Sequence, residues 1–196
     1  KSREYDFRED FYSKNWATGY KFPAVKNGWV IKESVPNLAP ASRQYFVLNL
    51  RREKFQDIRV REAFALAFDF AWTNKNLFYG QYARSRSYFD NSELAAEGLP
   101  SADELKLLEP LRGKIPDEVF TKTYVPPKGG GPRQLRKNLR AAGKLLDAAG
   151  WKIKGRERVH EKTGTPLTFE VMLVSPLFER IVLPFAKNLE KLGVKI

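Results

Sequence analysis

The interleaved aromatic and basic side chains of Tyr82 to Phe89 are the part of this 196-residue chain best equipped for contact chemistry. Such a mix can stack bases and hold an anionic strand. It can also anchor a loop to a core through Tyr88 and Phe89. A third use is the edge of a ligand cleft, where aromatics give adaptable contact and Arg or Asn gives hydrogen bonds. No RNP, KH or zinc-finger pattern accompanies the stretch. Catalytic groups are sparse. His160 is the lone histidine and there is no cysteine, so neither a transition-metal site nor a thiolate nucleophile can be assembled. A Ser-His-Asp arrangement would depend on His160, and no G-x-S-x-G elbow is present. His160, in a polar hairpin, reads as a surface residue. The glycine run KGGGPR lacks the spacing of a phosphate loop and reads as a flexible connection. The carboxylates read as helix-surface acids, without an acid–base pair at a controlled separation.

The bulk composition narrows the choices. Hydrophobic residues make up 42% of the chain and aromatics 13%, enough for a real core. No apolar run approaches the roughly 20 residues that span a bilayer. The net charge is +12, and the segment from Val125 to His160 holds ten Lys/Arg against two acids. That excess keeps a basic nucleic-acid-binding module open as an alternative. Its simpler reading is a solvated basic helix and hairpin.

The elements that must position these residues follow from periodicity. Residues 1–45 read as an aromatic-rich segment and strand, with Trp16 among its rings and WVIKESV (29–35) as the strand. Residues 46–196 read as a run of strands and helices of α/β type. Gln44 to Leu50 is expected as a second strand, covered on both faces. Asp57 is a good N-cap, with Arg61 four residues on as its ion-pair partner. Val60, Ala63, Phe64, Ala67 and Ala71 share one helical face. Thr73 or Asn74 is expected to cap a further helix that Gly80 stops. Ser101 and Glu104 have capping-box spacing. Arg133 to Ala149 is the clearest helix, with Leu135, Leu139, Ala142, Leu146 and Ala149 inward and Gly150 as its stop. A hairpin turning at Gly155 follows, then a strand LTFEVMLV. A last helix carries Leu177, Ile181, Phe185, Leu189 and Leu192 inward, with a kink expected at Pro184. Val194 to Ile196 opens another strand. Strand, helix and strand opening make an incomplete βαβ unit, so the chain is expected to stop in mid-fold as part of something longer.

The run Phe46 to Asn49, a short connector, and then Asp57, Val60, Arg61 and Ala63 as D-x-x-V-R-x-A resemble the extracytoplasmic family 5 solute-binding proteins of ABC importers. DFAWTNKNLFYGQYARSRSYFDNSELAAEGLPSADELKLLEPLR and TGYKFPAV are similar to the YejA-type subgroup. RKNLRAAGKLLDAAGWKI resembles the family's A-x-x-L-L-x-x-A-G-W element, and FERIVLPFAKNLEKLGVKI its following helix. The likeness is collinear over nearly the whole chain.

That resemblance implies a fold: residues 46–196 as part of the second lobe of a periplasmic-binding-protein-like protein (type II, cluster C), a mixed sheet flanked by helices, with residues 1–45 leading from the inter-lobe region. It implies a periplasmic, monomeric, non-catalytic protein without cofactor or stable membrane insertion. Such a protein captures peptides, microcin C-like ones among them, and docks on permease subunits. Nucleic acid is then no partner. Asn49, Asp57 and Arg61 become framework. The loop from Arg84 to Asn91, whose polar and aromatic residues follow no helical or strand period, becomes the expected cleft wall. Arg84 and Arg86 are assigned to anionic groups, Tyr88 and Phe89 to stacking, and Asn91 to hydrogen bonding with ligand backbone. Trp16 is a further contact. Residues holding the ligand's amino terminus are expected outside this chain.

Overall fold

The computed structural model describes residues 4–41 and 43–196. In chain order its helices and strands are α1 (Ser13–Thr18), α2 (Pro23–Lys26), α3 (Ile58–Ala67), α4 (Phe70–Leu77), α5 (Ala102–Leu108), α6 (Glu118–Thr121), α7 (Pro132–Ala148), β1 (Trp151–Lys154), β2 (Glu157–His160) and α8 (Glu179–Glu190). They fall into two units. The first comprises the described residues of Lys1–Lys32, Phe46–Tyr82 and Pro127–Ile196; the second comprises Glu33–Tyr45 and Ala83–Pro126. Residues 45 and 46 thus belong to different units, and the two units interleave in sequence.

The first unit is built on α3. Asp57 caps it by accepting the Arg59 N–H at 2.8 Å, which satisfies one of the donors that a helix start leaves free. The spacing of three and four then buries Val60, Ala63, Phe64 and Ala67 on one stripe. Helix α7 packs against that stripe with Ala142 and Leu146 fully buried. Its lysines and arginines at 133, 136, 137, 140 and 144 stay exposed on the opposite face. Helix α8 adds Val182, Phe185, Ala186 and Leu189. Asn188 Nδ2 donates to the Ala67 carbonyl at 3.0 Å, meeting an acceptor that the end of α3 leaves without an intrahelical partner. Two aromatic clusters close the core. In one, Phe169 stacks on Phe64 at 5.2 Å with Phe55 edge-on; in the other, Phe46 stacks on Phe185 at 5.1 Å with Phe68 edge-on.

The hairpin forms as expected, β1 antiparallel to β2, with Gly155 at φ +65° in its turn. Arg158 on β2 is 4% exposed, a burial that periodicity does not foresee. It donates to the Leu192 carbonyl at 2.7 Å, the Trp151 carbonyl at 2.6 Å and Asp147 Oδ1 at 2.7 Å. One guanidinium therefore ties α7, the hairpin and the residues after α8 together. The βαβ start is visible as well: Thr168 and Lys195 form a parallel bridge across α8, with the Phe169 N–H on the Lys195 carbonyl at 3.1 Å.

Several expectations need correction. The stretches 29–35, 44–50 and 167–174 form no ladder beyond the single bridge at Thr168. Val47, Met172 and Val174 are exposed at 85%, 93% and 91%, so no second layer covers them among the described residues. Asp57 pairs with Arg59 at 2.5 Å, because Arg59 folds back over the cap; Arg61 Nη1 instead donates to the Phe55 and Gln56 carbonyls, at 2.9 and 2.6 Å. Asp69 rather than Thr73 or Asn74 caps α4, accepting the Trp72 N–H. Ala71 consequently lies on α4 and not on the α3 stripe. Leu177 is exposed, in the 3-10 turn before α8. The start of the glycine run packs on the first unit: a Cβ on Gly129 would lie 3.0 Å from Ala71 Cβ and 3.1 Å from its N, while Asn138 Nδ2 donates to the Lys128 carbonyl at 2.8 Å.

A cluster of braced loops as candidate binding site

The candidate loop lies in the second unit, which has no buried hydrophobic residue among those described. Polar clips do the ordering there. The Asp90 carboxylate accepts the backbone N–H of Arg86 at 2.9 Å and of Ser87 at 3.0 Å, closing a turn on itself. It also accepts Arg43 Nη1 at 3.1 Å. These donors, with Arg86's N–H foremost, then Ser87's and Arg43, hold the Asp90 carboxyl below its ordinary range against the opposing effect of burial. Arg43 Nε donates to the Tyr88 carbonyl at 3.1 Å. Asn91 sits at φ +59°, a left-handed conformation Asn tolerates better than most residues. From there its Nδ2 reaches the Asn37 and Ala39 carbonyls at 3.0 and 2.6 Å. The Ala41 N–H donates to the Asp90 carbonyl at 3.0 Å, so residues 37–41 and Arg43 brace the loop of residues 86–91.

On this base the rings face solvent. Tyr88 is 80% exposed and Phe89 55%. Tyr88 leans on Tyr45, itself 55% exposed, with ring centroids 5.9 Å apart. Arg86 is exposed through its side chain while its backbone serves Asp90. Arg84 is half-buried, and burial lowers the pKa of its guanidinium, with Tyr124 acting in the opposite sense.

Arg84, Arg86, Tyr88, Phe89 and Asn91 therefore share one unit, and Trp16 belongs to the other. In its own surroundings Trp16 carries the Lys32 ammonium 4.2 Å from its ring centroid, with Tyr20 edge-on at 5.8 Å. Asn49 makes an Asx turn, accepting the Arg51 N–H at 3.1 Å. An open concavity of about 540 Å³ in the first unit is lined by Phe70, Ala71, Asn74, Lys75, Tyr79 and Gly80 and includes none of the sequence-assigned residues. His160 packs edge-on against Trp151 at 5.1 Å. Sequence reasoning missed Arg43 and Tyr45. They lie more than 40 residues from the loop they support, outside any local period; the only trace was Asp90 at the end of an aromatic loop, an acceptor needing donors.

The whole chain, residues 1–196, matches the family described as bacterial extracellular solute-binding proteins, family 5, middle region. The chain belongs to this family, and its fold is that of a family 5 lobe fragment of helices and a small sheet. Within the family it is of the YejA type. It is 45% identical over 196 residues to the probable peptide-binding protein YejA of Agrobacterium fabrum, covering 99% of this chain and 32% of that protein. It is 43% identical over 196 residues to the uncharacterized protein YejA of Escherichia coli, covering 100% and 32%. The chain thus spans about a third of the length of the curated relatives it matches. Among solved structures, the oligopeptide-binding protein AppA of Bacillus subtilis in complex with a nonapeptide aligns with a TM-score of 0.49 and 17% identity, over 75% of this chain and 24% of that one.

Proposed function

We propose that this chain is part of the substrate-binding component of an ABC importer for peptides, a non-catalytic, monomeric, periplasmic protein that captures its ligand and presents it to the permease. The observation carrying this reading is the 45% identity, over nearly the whole chain, to a relative named as a probable peptide-binding protein. The second unit supports it: a loop pair braced by polar clips exposes Tyr88 and Phe89, large adaptable contact surfaces with little conformational freedom to lose. Arg84 and Arg86 would meet ligand carboxylates from the same loop. Asn91, whose amide donors serve Asn37 and Ala39, acts as framework in this scheme.

No comparable observation favours the nucleic-acid reading, since the arginines and lysines of α7 form the solvent face opposite its buried stripe. The test is ligand-dependent melting of the full-length protein. Peptides at 100 times their Kd should stabilise it by about 2.7 kcal/mol if they bind only the folded state. Peptides that never move the melting point, together with salt-sensitive retention on DNA or heparin, would sink the import reading.

A further inference from the structure

The second unit holds a residue whose placement its own packing does not account for. The Arg43 side chain is 5% exposed. Two of its nitrogens are engaged, Nε with the Tyr88 carbonyl at 3.1 Å and Nη1 with Asp90 Oδ2 at 3.1 Å. Its Nη2 lies out of water with no hydrogen-bond partner among the described residues. A buried N–H left unpaired is unfavourable, so this site is not tuned for stability alone. What the arrangement does achieve is a fixed height and direction for the Tyr88 backbone. The fork reaches the carbonyl of residue 88 and the carboxylate of residue 90 at once, and Asp90 in turn holds the N–H groups of 86 and 87. A single guanidinium therefore sets the turn from both sides. Tyr88 and Tyr45 present a paired, water-exposed surface, and the next residue in the chain, Phe89, is exposed as well.

We propose that Arg43 is a positioning residue that holds Tyr45 and Tyr88 as a preorganised aromatic ledge, and that the ledge takes one aromatic or branched apolar side chain of a peptide ligand. This rests on the reading of the loop as a ligand contact. Two features favour a peptide side chain as the occupant. Tyr45 and Tyr88 give a pair of neighbouring exposed ring surfaces, against which a further ring can pack offset or edge-on. The exposed Arg86, two residues before Tyr88 in the same loop, suits a ligand that carries carboxylates beside its apolar groups. Holding the rings in place before binding removes part of the ordering cost, which raises affinity for ligands that use them and leaves other ligands unaffected.

The experiment uses the full-length protein and two probes, penta-alanine and a pentapeptide alternating alanine with phenylalanine. The wild type should bind the phenylalanine peptide about tenfold more tightly, the scale of one well-placed aromatic pair plus its buried area. Tyr45→Ala, an exposed change, should bring that ratio to within about twofold of unity. Arg43→Gln should do the same, and Arg43→Lys, which keeps the charge but not the fork, should fall between. A Tyr45→Ala variant that keeps the full ratio overturns the ledge, whether or not Arg43→Gln folds. A folded Arg43→Gln variant that keeps the ratio, while Tyr88→Ala loses it, overturns the role of Arg43 and leaves the loop reading intact. Loss of peptide discrimination only through a changed oligomeric state would make the ledge a contact between copies and overturn the proposal. If neither pentapeptide binds the wild type, the peptide reading falls and the ledge falls with it.

Discussion

The two units are held by different physics. In the first, Leu146, Leu167, Leu189, Val60 and Val194 are fully enclosed, and α3, α7 and α8 meet over that core. In the second, no described residue counts as a buried hydrophobic, and order comes from Arg43–Asp90, from Asn91 on two carbonyls and from the Ser101–Glu104 capping box. An apolar core is non-directional and tolerates modest reshaping, whereas a set of clips fixes particular atoms while leaving side chains free at the surface. Arg84, Arg86, Tyr88, Phe89 and Asn91 lie in the second kind of region and Trp16 in the first.

Enlarging a void in the first unit should produce the largest effect. Leu189 is fully buried beside Phe185 and the α3 stripe, so Leu189→Ala should destabilise the full-length protein by about 2–5 kcal/mol, read from the urea midpoint. A loss below 1 kcal/mol would show that this core is looser than its geometry states. The opposite error, overfilling, is tested at Gly129. Its α-carbon faces Asp69 and Ala71 at the start of α4, and an added methyl must displace the residue that caps that helix. Gly129→Ala should therefore cost about 1–3 kcal/mol, although it lies in a run that reads as a flexible linker. A neutral outcome would restore the linker reading and remove the glycine loop from the first unit's packing.

The same contrast explains what was legible in the sequence. The α3 and α7 stripes, the Asp57 cap, the Gly155 hairpin and the Ser101 capping box were readable because each depends on residues within a few positions of one another. The stretches 44–50 and 167–174 have strand-like composition, but a ladder needs a neighbour, and apolar composition carries no information about which segment supplies one. Arg61 was assigned to Asp57 on spacing alone, while the shorter reach of Arg59 over the cap decided the pair. In the candidate site, the loop's lack of periodicity pointed to Arg84 through Asn91. The Arg43–Asp90 link, 47 residues apart, has no local signature at all.

The smallest expected effect separates the clips from the core by pH. Asp90 is held below its ordinary range by the Arg86 N–H, the Ser87 N–H and Arg43. Its folded pKa is thus lower than the unfolded value of about 3.9, so its contribution is fully present above that pH and fades as pH falls through the lower folded value. The carboxylate lies near solvent, and the expected response is local: the turn at residues 86–90 loosens while the first unit's core stays packed. Backbone amide resonances of Arg86 and Ser87 should titrate with a midpoint below about 3.9, and those of Val60 and Leu146 should not follow them. Asp90→Asn should abolish that titration. Its carboxamide retains an acceptor for one N–H, but it cannot pair with the Arg43 cation, so the Tyr88 carbonyl also loses part of its anchor. A wild-type midpoint at or above about 3.9 would mean that the clip does not bind the carboxylate preferentially, and the second unit would then need another source of order.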